Sequence, residues 1–460
     1  MTLYDAFGRE VDVAALRREQ AGATTTGVRN VYSTMHPSAG LTPERLSDIL
    51  QAAEAGDPYQ YLELAEEMEE KDLHYLAVLT TRRQSVAELD ALVEPASNDA
   101  DDIRAAAMVR EMLLQGTLSI EAVLFDLLDA LGKGFSVVEI MWDTSGREWA
   151  PAGLKWRDPR WFVFDWVAGD ELRVRCMREE AAGGNSGGGR GGAHFQGKGM
   201  FGAARRGWDA QPMSEPLSPF KFIAHTAKAK SGLPIRGGLA RAAGWAYLFK
   251  NYILKDWVTF AEIFGQPVRI GKYQPGATEM DKRTLLRAVA NIGTDAAAII
   301  PESMMIEFVQ AQRGASPELY QRFCEYLDAQ VSKAVLGQTL TTEIARGAGS
   351  RAAAEVHNTV RRDIMAADAR RVAATVTRDL VKPIVDLNLG PRARYPKFVL
   401  RLAPDDDVRR FAEVVAMLAD RGLRVSQRRV LERLGLPAAA DDEAVLEGRL
   451  GGREPRLPIT

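Results

Sequence analysis

The chain is poor in cysteine, with only Cys176 and Cys324 in 460 residues, far apart and without a CxxC neighbour. That excludes a disulfide framework and a cysteine zinc site, and it fits a reducing compartment. Histidine is scarce too. His36, His74, His194, His225 and His357 never fall in the HxxxH or HExxH spacing that puts two ligands on one helix face, so no metal is expected. No stretch approaches the ~20 apolar residues of a membrane-spanning helix. Asp5, Arg9, Glu10 and Asp12 stand where a signal peptide needs an apolar run, so the expectation is a soluble intracellular protein with no membrane partner. Excess positive charge is also missing. With 59 Lys and Arg against 62 Asp and Glu, the net charge of -3 has the wrong sign for gripping nucleic acid over a broad face. A DNA partner would be touched lightly.

What is present suits a folded protein of several units: 46% hydrophobic and 26% charged residues. Residues 1–40 show little periodicity and read as an extended arm. Thr42-Pro43-Glu44 is a helix start, and helices are expected to about residue 92. The acidic run Glu63, Glu66, Glu67, Glu69, Glu70 and Asp72 reads as a solvated helix face or, alternatively, as a surface that repels DNA. One helical stretch is expected over 101–131, closed by Gly132-Lys133-Gly134. From Phe135 the period changes to that of strands, giving a small antiparallel sheet. The Gly- and Arg-rich residues 182–216 cannot bury enough apolar surface to order themselves and read as a loop inserted between strands, before the sheet resumes at Phe220.

A long helix is expected over 235–264. Trp245, Phe249, Tyr252, Ile253, Trp257 and Phe260 lie on more than one side of it, so it needs cover on several sides, as a core helix or against neighbours. A β-α-β pattern, a helix over 318–335, a Thr- and Gly-rich break at 337–350, a long helix over 351–387, a strand at 397–402 and two amphipathic helices follow. The fold class is therefore α+β and predominantly helical.

No enzyme chemistry shows itself. Gly192 to Lys198 has the glycines and lysine of a phosphate loop, but Gly199 stands where Ser or Thr must hold magnesium, so no nucleotide cofactor is expected. No GxSxG elbow is present. Asp405-Asp406-Asp407 reads better as a helix N-terminal cluster than as a metal site.

Five stretches carry a family resemblance by their order and spacing. They are Asp72-Leu-His-Tyr-Leu-Ala-Val-Leu-Thr-Thr-Arg-Arg-Gln84, Gly132-Lys-Gly-Phe-Ser-Val-Val-Glu-Ile-Met-Trp142, Gly232-Leu-Pro-Ile-Arg-Gly-Gly238, Phe260-Ala-Glu-Ile-Phe-Gly-Gln-Pro267 and Val335-Leu-Gly-Gln-Thr-Leu-Thr-Thr342. Together they resemble the portal proteins of Mu-like tailed phages and prophages, with the Gly/Arg insertion as the departure. The resemblance implies a wing over 41–234, a stem helix over 235–264, a clip over 265–313 and a second stem helix over 314–336. A tunnel loop over 337–350, a long wing helix and strand over 351–402 and crown-like helices with a tail over 403–460 complete it.

It further implies a homo-oligomeric ring of about twelve subunits at one capsid vertex, nucleating head assembly. Its partners would be the terminase large subunit, major capsid and scaffold proteins, head-completion and tail proteins, and double-stranded DNA. It would be found in the virion, and in host cytoplasm during assembly. Gln338, Thr339, Thr341, Thr342, Arg346 and Arg351 are the expected DNA-channel residues, unless 337–350 is an ordinary helix connection. A head scaffold or baseplate protein without a DNA-sized pore is the alternative.

Overall fold

The computed structural model describes residues 2–22, 37–116, 118–175, 214–265, 269–273, 276–291, 297–301, 317–339, 351–402, 408–421 and 430. They form two units, Met1–Arg401 and Leu402–Thr460. The first unit begins with residues 2–22, which hold the one-turn helix α1 (Val13–Leu16), N-capped by Asp12. These residues are not a bare arm: buried Glu139 accepts from the backbone N–H groups of Gln20 and Ala21, and Lys221 Nζ donates to the Leu16 carbonyl. Lack of periodicity concealed this because the contacts are made by backbone groups.

Helix α2 (Pro43–Glu54) starts as its sequence requires, with the Thr42 hydroxyl accepting from Arg45 N. Then follow α3 (Tyr59–Lys71) and α4 (Leu73–Ala87), the latter capped by Asp72, which accepts from His74 and Tyr75 N–H. Helix does not reach residue 92: β1 (Asp90–Glu94) pairs antiparallel with β10 (Lys397–Arg401), a partner some 300 residues away that no local pattern announces. The expected stretch over 101–131 is divided into α5 (Ala100–Leu114), α6 (Ile120–Leu127) and α7 (Ala130–Lys133). The Ser119 hydroxyl accepts from Ala122 N and starts a new helix.

Among the described residues there are two three-stranded sheets here instead of one. The first, in the order β3-β2-β7, joins β3 (Ala150–Arg157), β2 (Phe135–Asp143) and β7 (Phe222–Thr226). The second joins β4 (Phe162–Phe164), β5 (Leu172–Arg175) and β6 (Ser214–Pro216). The insertion therefore does run between paired strands, β5 and β6. Edge-to-face pairs Phe135/Phe164 and Phe162/Phe222 join the two sheets, with centroids 5.1 and 6.2 Å apart.

The long helix is α8 (Ala240–Gly265), about 39 Å at 1.5 Å per residue. A parallel β-α-β unit follows, with β8 (Arg269–Tyr273), α9 (Glu279–Asn291) and β9 (Ala297–Pro301). Beyond it stand α10 (Pro317–Leu336) and α11 (Arg351–Val376), and α11 passes through a π segment, Thr377–Val381, into α12 (Lys382–Leu389). Pro383 has no N–H for the Asp379 carbonyl, and this frees the wider turn. In the second unit, α13 (Val408–Asp420) is amphipathic. The helix expected from Ser426 to Leu434 and the Asp405–Asp407 triplet lie outside the described residues or almost so.

Most of the acidic run of α3 is not a solvated face, although Glu70 is exposed. Glu66 meets Lys133 Nζ at 2.6 Å, Glu69 meets Arg83 at 2.8 Å, and Asp129 binds both cations at 2.7 Å. Burial opposes the charge on Lys133, but Asp129, Glu66 and Glu69 outweigh it and raise its pKa. Charges were legible in sequence, but their inward direction was not.

His225 on β7 is buried, with Nδ1 2.9 Å from the Thr375 hydroxyl. Burial first, then Arg378 and Arg371, push its pKa from 6.5 down to about 4. The unfolded chain therefore binds this proton first as pH falls, so stability drops between about pH 6.5 and 4, by up to about 3 kcal/mol. Urea titrations at pH 7 and pH 4.5 should show a smaller acid loss in His225→Gln than in the parent; an equal loss would remove His225 as the cause.

Candidate functional site

Helices α8 and α10 pair antiparallel, because Trp257 and Phe260 pack on Tyr320 while Lys250, earlier in α8, reaches Asp328, later in α10. Trp257 and Tyr320 are stacked at 6.3 Å. The six apolar residues singled out on α8 separate into two sets. Ile253 is buried, and Trp257 and Phe260 are half-buried against α10. Trp245, Phe249 and Tyr252 lie at the surface, each between 38% and 42% exposed, with the Tyr252 hydroxyl donating to the Leu41 carbonyl at 2.6 Å. They recur at i, i+4 and i+7, one stripe of a helix.

Leu254 and Val258 are exposed as well, and at 100° per residue they fall on the opposite side of α8. Helix α10 adds Leu319, Phe323 and Tyr326, also exposed and at helical spacing. The pair thus exposes apolar residues on two different sides, with Lys255, Asp256 and Thr259 exposed among them. Surface hydrophobes scattered singly need no explanation, whereas contiguous ones mark contact with another protein.

The base of the pair is fixed by polar bonds. Lys250 Nζ meets Asp72 at 2.9 Å and Asp328 at 2.6 Å, joining α8 to the cap of α4 and to α10. Burial opposes the charge on Lys250, but the two carboxylates outweigh it and raise its pKa. His74 Nε2 lies 2.7 Å from the Ser332 hydroxyl. Arg82 of α4 binds Asp368 of α11 and the Val335 carbonyl of α10.

These anchors end where the Thr- and Gly-rich segment begins. Of its expected DNA-channel residues, Gln338 is buried at the foot of α10 and Thr339 is half-buried. Thr341, Thr342 and Arg346 lie outside the described residues, and Arg351 opens α11 with its side chain also outside them. Lys250, Asp328, Arg82 and Asp368 were not singled out as site residues. Arg82 stands in the stretch Asp72–Gln84 that carries the resemblance, but nothing local marks its partners.

Other chemistry is sparse. A cavity of about 470 Å³ lies between residues 5–9, β7 and the π segment. Its Arg378 and Asp379 are engaged with each other and with the Ala224 backbone. Among the described residues no group of three or more His, Cys, Asp and Glu is placed to hold a metal ion. No described helix is long and apolar enough to cross a membrane. The phosphate-loop look-alike at Gly192–Gly199 lies outside the described residues.

Helices packed around small sheets, with apolar residues exposed on a helix pair, define a predominantly helical α+β protein. A family model, the portal protein of Mu bacteriophage, matches residues 62–436. Mu-like prophage FluMu protein gp29 of Haemophilus influenzae is 36% identical over 420 residues, 89% of this chain and 74% of that protein. The portal protein of Escherichia phage Mu is 34% identical over 414 residues, with the same shares covered. A solved structure, the neck of an empty GTA particle, aligns over 86% of this chain and 95% of its own, at 13% identity and a TM-score of 0.45. The chain belongs to the family of Mu bacteriophage portal proteins.

Replacing Lys250 by Ala leaves Asp72 and Asp328 without their shared cation, although Asp72 keeps its two backbone donors. The expected cost is about 2–3 kcal/mol, at or below the low end for breaking a buried pair. Denaturant unfolding of the variant checks the value, and an unchanged midpoint would mean that the pair adds nothing.

Proposed function

We propose that this portal chain closes into a ring of about twelve subunits at one capsid vertex, forming the channel for DNA during packaging and ejection. The observation that carries the proposal is the pair of unlike apolar faces on α8, Trp245/Phe249/Tyr252 on one side and Leu254/Val258 on the other. Unlike faces support head-to-tail contacts, which close into rings when the rotation allows it. In this reading α8 and α10 form the stem, the β8-α9-β9 unit the clip, and the first unit around the two sheets the wing.

The ring nucleates head assembly and docks head-completion and tail proteins. Translocation is driven by a separate terminase, since the portal itself is not an enzyme. The protein resides in the virion after assembly in the host cytoplasm. Residues 337–350 line the channel, where Thr339, Thr341, Thr342 and Arg346, with Arg351 at the adjoining start of α11, touch phosphates weakly enough for DNA to slide. Gln338, buried in the single chain, is left out of that set.

Two variants test the faces. Phe249→Asp and Val258→Asp should each give folded monomers by light scattering, and an equimolar mixture should form a dimer through the one intact pair of faces. Dimer formation by either variant alone would point to a symmetric contact and overturn the ring geometry. Electron microscopy of the parent should show closed rings with an axial hole, and assemblies without one would favour a scaffold or baseplate role. Replacing Arg346 and Arg351 together by Ala should leave rings intact and change packaged DNA per particle. Unchanged packaging would move 337–350 off the DNA path.

A further inference from the structure

One side chain holds both helices that carry the segment placed on the channel wall. Arg82 Nε donates to Asp368 Oδ2 of α11 at 2.8 Å, and its Nη1 donates to the Val335 carbonyl in the last turn of α10 at 2.6 Å. Val335 and Asp368 are buried, and Arg82 is nearly so. The Val335 carbonyl is among the last four of α10, which have no donor within their own helix. A guanidinium presents donors in a rigid planar fork and can serve a carbonyl and a carboxylate at once, whereas a lysine ammonium is a single point of charge.

A second contact, independent of Arg82, joins the same helices. Gly337 has φ +71°, and a Cβ built on it would lie 2.8 Å from Ile364 Cδ1 and 3.0 Å from Val360 Cγ1. The left-handed backbone favours glycine here, and any side chain added would push on Ile364 and Val360 of α11. Since α11 begins at Arg351, its first turns run about 14 Å beyond this contact. The span that the intervening residues must cover is thus set where Arg82 and Gly337 hold the two helices.

We infer that Arg82 is a positioning residue for DNA passage: by tying α10 and α11 to α4 it sets the distance and direction between the helix ends that carry residues 340–350. This rests on the channel reading of 337–350. It assigns Arg82 no contact with DNA.

The test compares Arg82→Ala, Arg82→Lys and Gly337→Ala with the parent as full-length portals. It reads ring formation by electron microscopy, hydrogen exchange at residues 331–339 and 360–368, and packaged DNA per particle. The expected result is intact rings, exchange at both sites faster by about tenfold in Arg82→Ala, and altered packaging in both Ala variants. Arg82→Lys should fall between Ala and the parent in both readouts. Unchanged exchange in Arg82→Ala would overturn the inference, and so would loss of rings in both Ala variants, which would assign the contact to folding alone. Faster exchange with normal packaging would overturn it as well. In that case the Arg346→Ala, Arg351→Ala double variant separates the causes: if it alters packaging, only the positioning role fails, and if it does not, the channel reading fails too.

Discussion

The structure depends on the charged side chains at the two ends of α4. At the start, Asp72 caps the helix and binds Lys250 of α8; at the end, Arg82 reaches α10 and α11 while Arg83 binds Glu69 of α3 and Asp129 beside α7. Burial opposes the charge on Arg83, but Asp129 and Glu69 outweigh it and raise its pKa. Such pairs lose much of their Coulomb gain to desolvation, so they add modest net stability while making wrong pairings expensive. Their consequence here is geometric. Five helices keep fixed positions relative to one, and the outward faces of α8 and α10 inherit that fixity.

The same network changes what the net charge means. An acidic excess suggests a channel wall that repels DNA, yet Glu66, Glu69 and Asp72 are committed to Lys133, Arg83 and Lys250 inside the subunit. Near its middle α8 exposes aromatic and aliphatic residues, interspersed with the polar Lys255, Asp256 and Thr259. The exposed stripes are suited to protein contact, since their burial against a neighbour removes apolar surface from water at about 25 cal/mol per Å².

Four of the five stretches that carried the family resemblance meet in space, all but Phe260–Pro267. Gly238 packs so closely that an added Cβ would lie 2.5 Å from both the Gly132 carbonyl and the Tyr61 hydroxyl, which brings Gly232–Gly238 against Gly132–Trp142. Arg82, in Asp72–Gln84, binds the Val335 carbonyl at the start of Val335–Thr342. Residues spread over some 270 positions thus form adjoining contacts, which gives a physical reason for strings that are weak singly to be informative together.

The sequence by itself determined what near neighbours control: the Thr42 cap, the glycine stop at Gly134, the β-α-β order and a long helix ending near residue 264, although its start at Ala240 lies five residues after the expected one, behind a 3-10 turn at Pro234–Gly237. Each follows from hydrogen bonds or side-chain periods spanning a few residues. Only the tertiary structure decided that β1 pairs with β10, that strands 135–226 divide into two sheets, that the acidic face of α3 turns inward, and that Arg82 joins α10 to α11. A charged side chain has the same local pattern whether it meets water or a carboxylate hundreds of residues away. The difference is made by burial, which exists only once distant elements have packed.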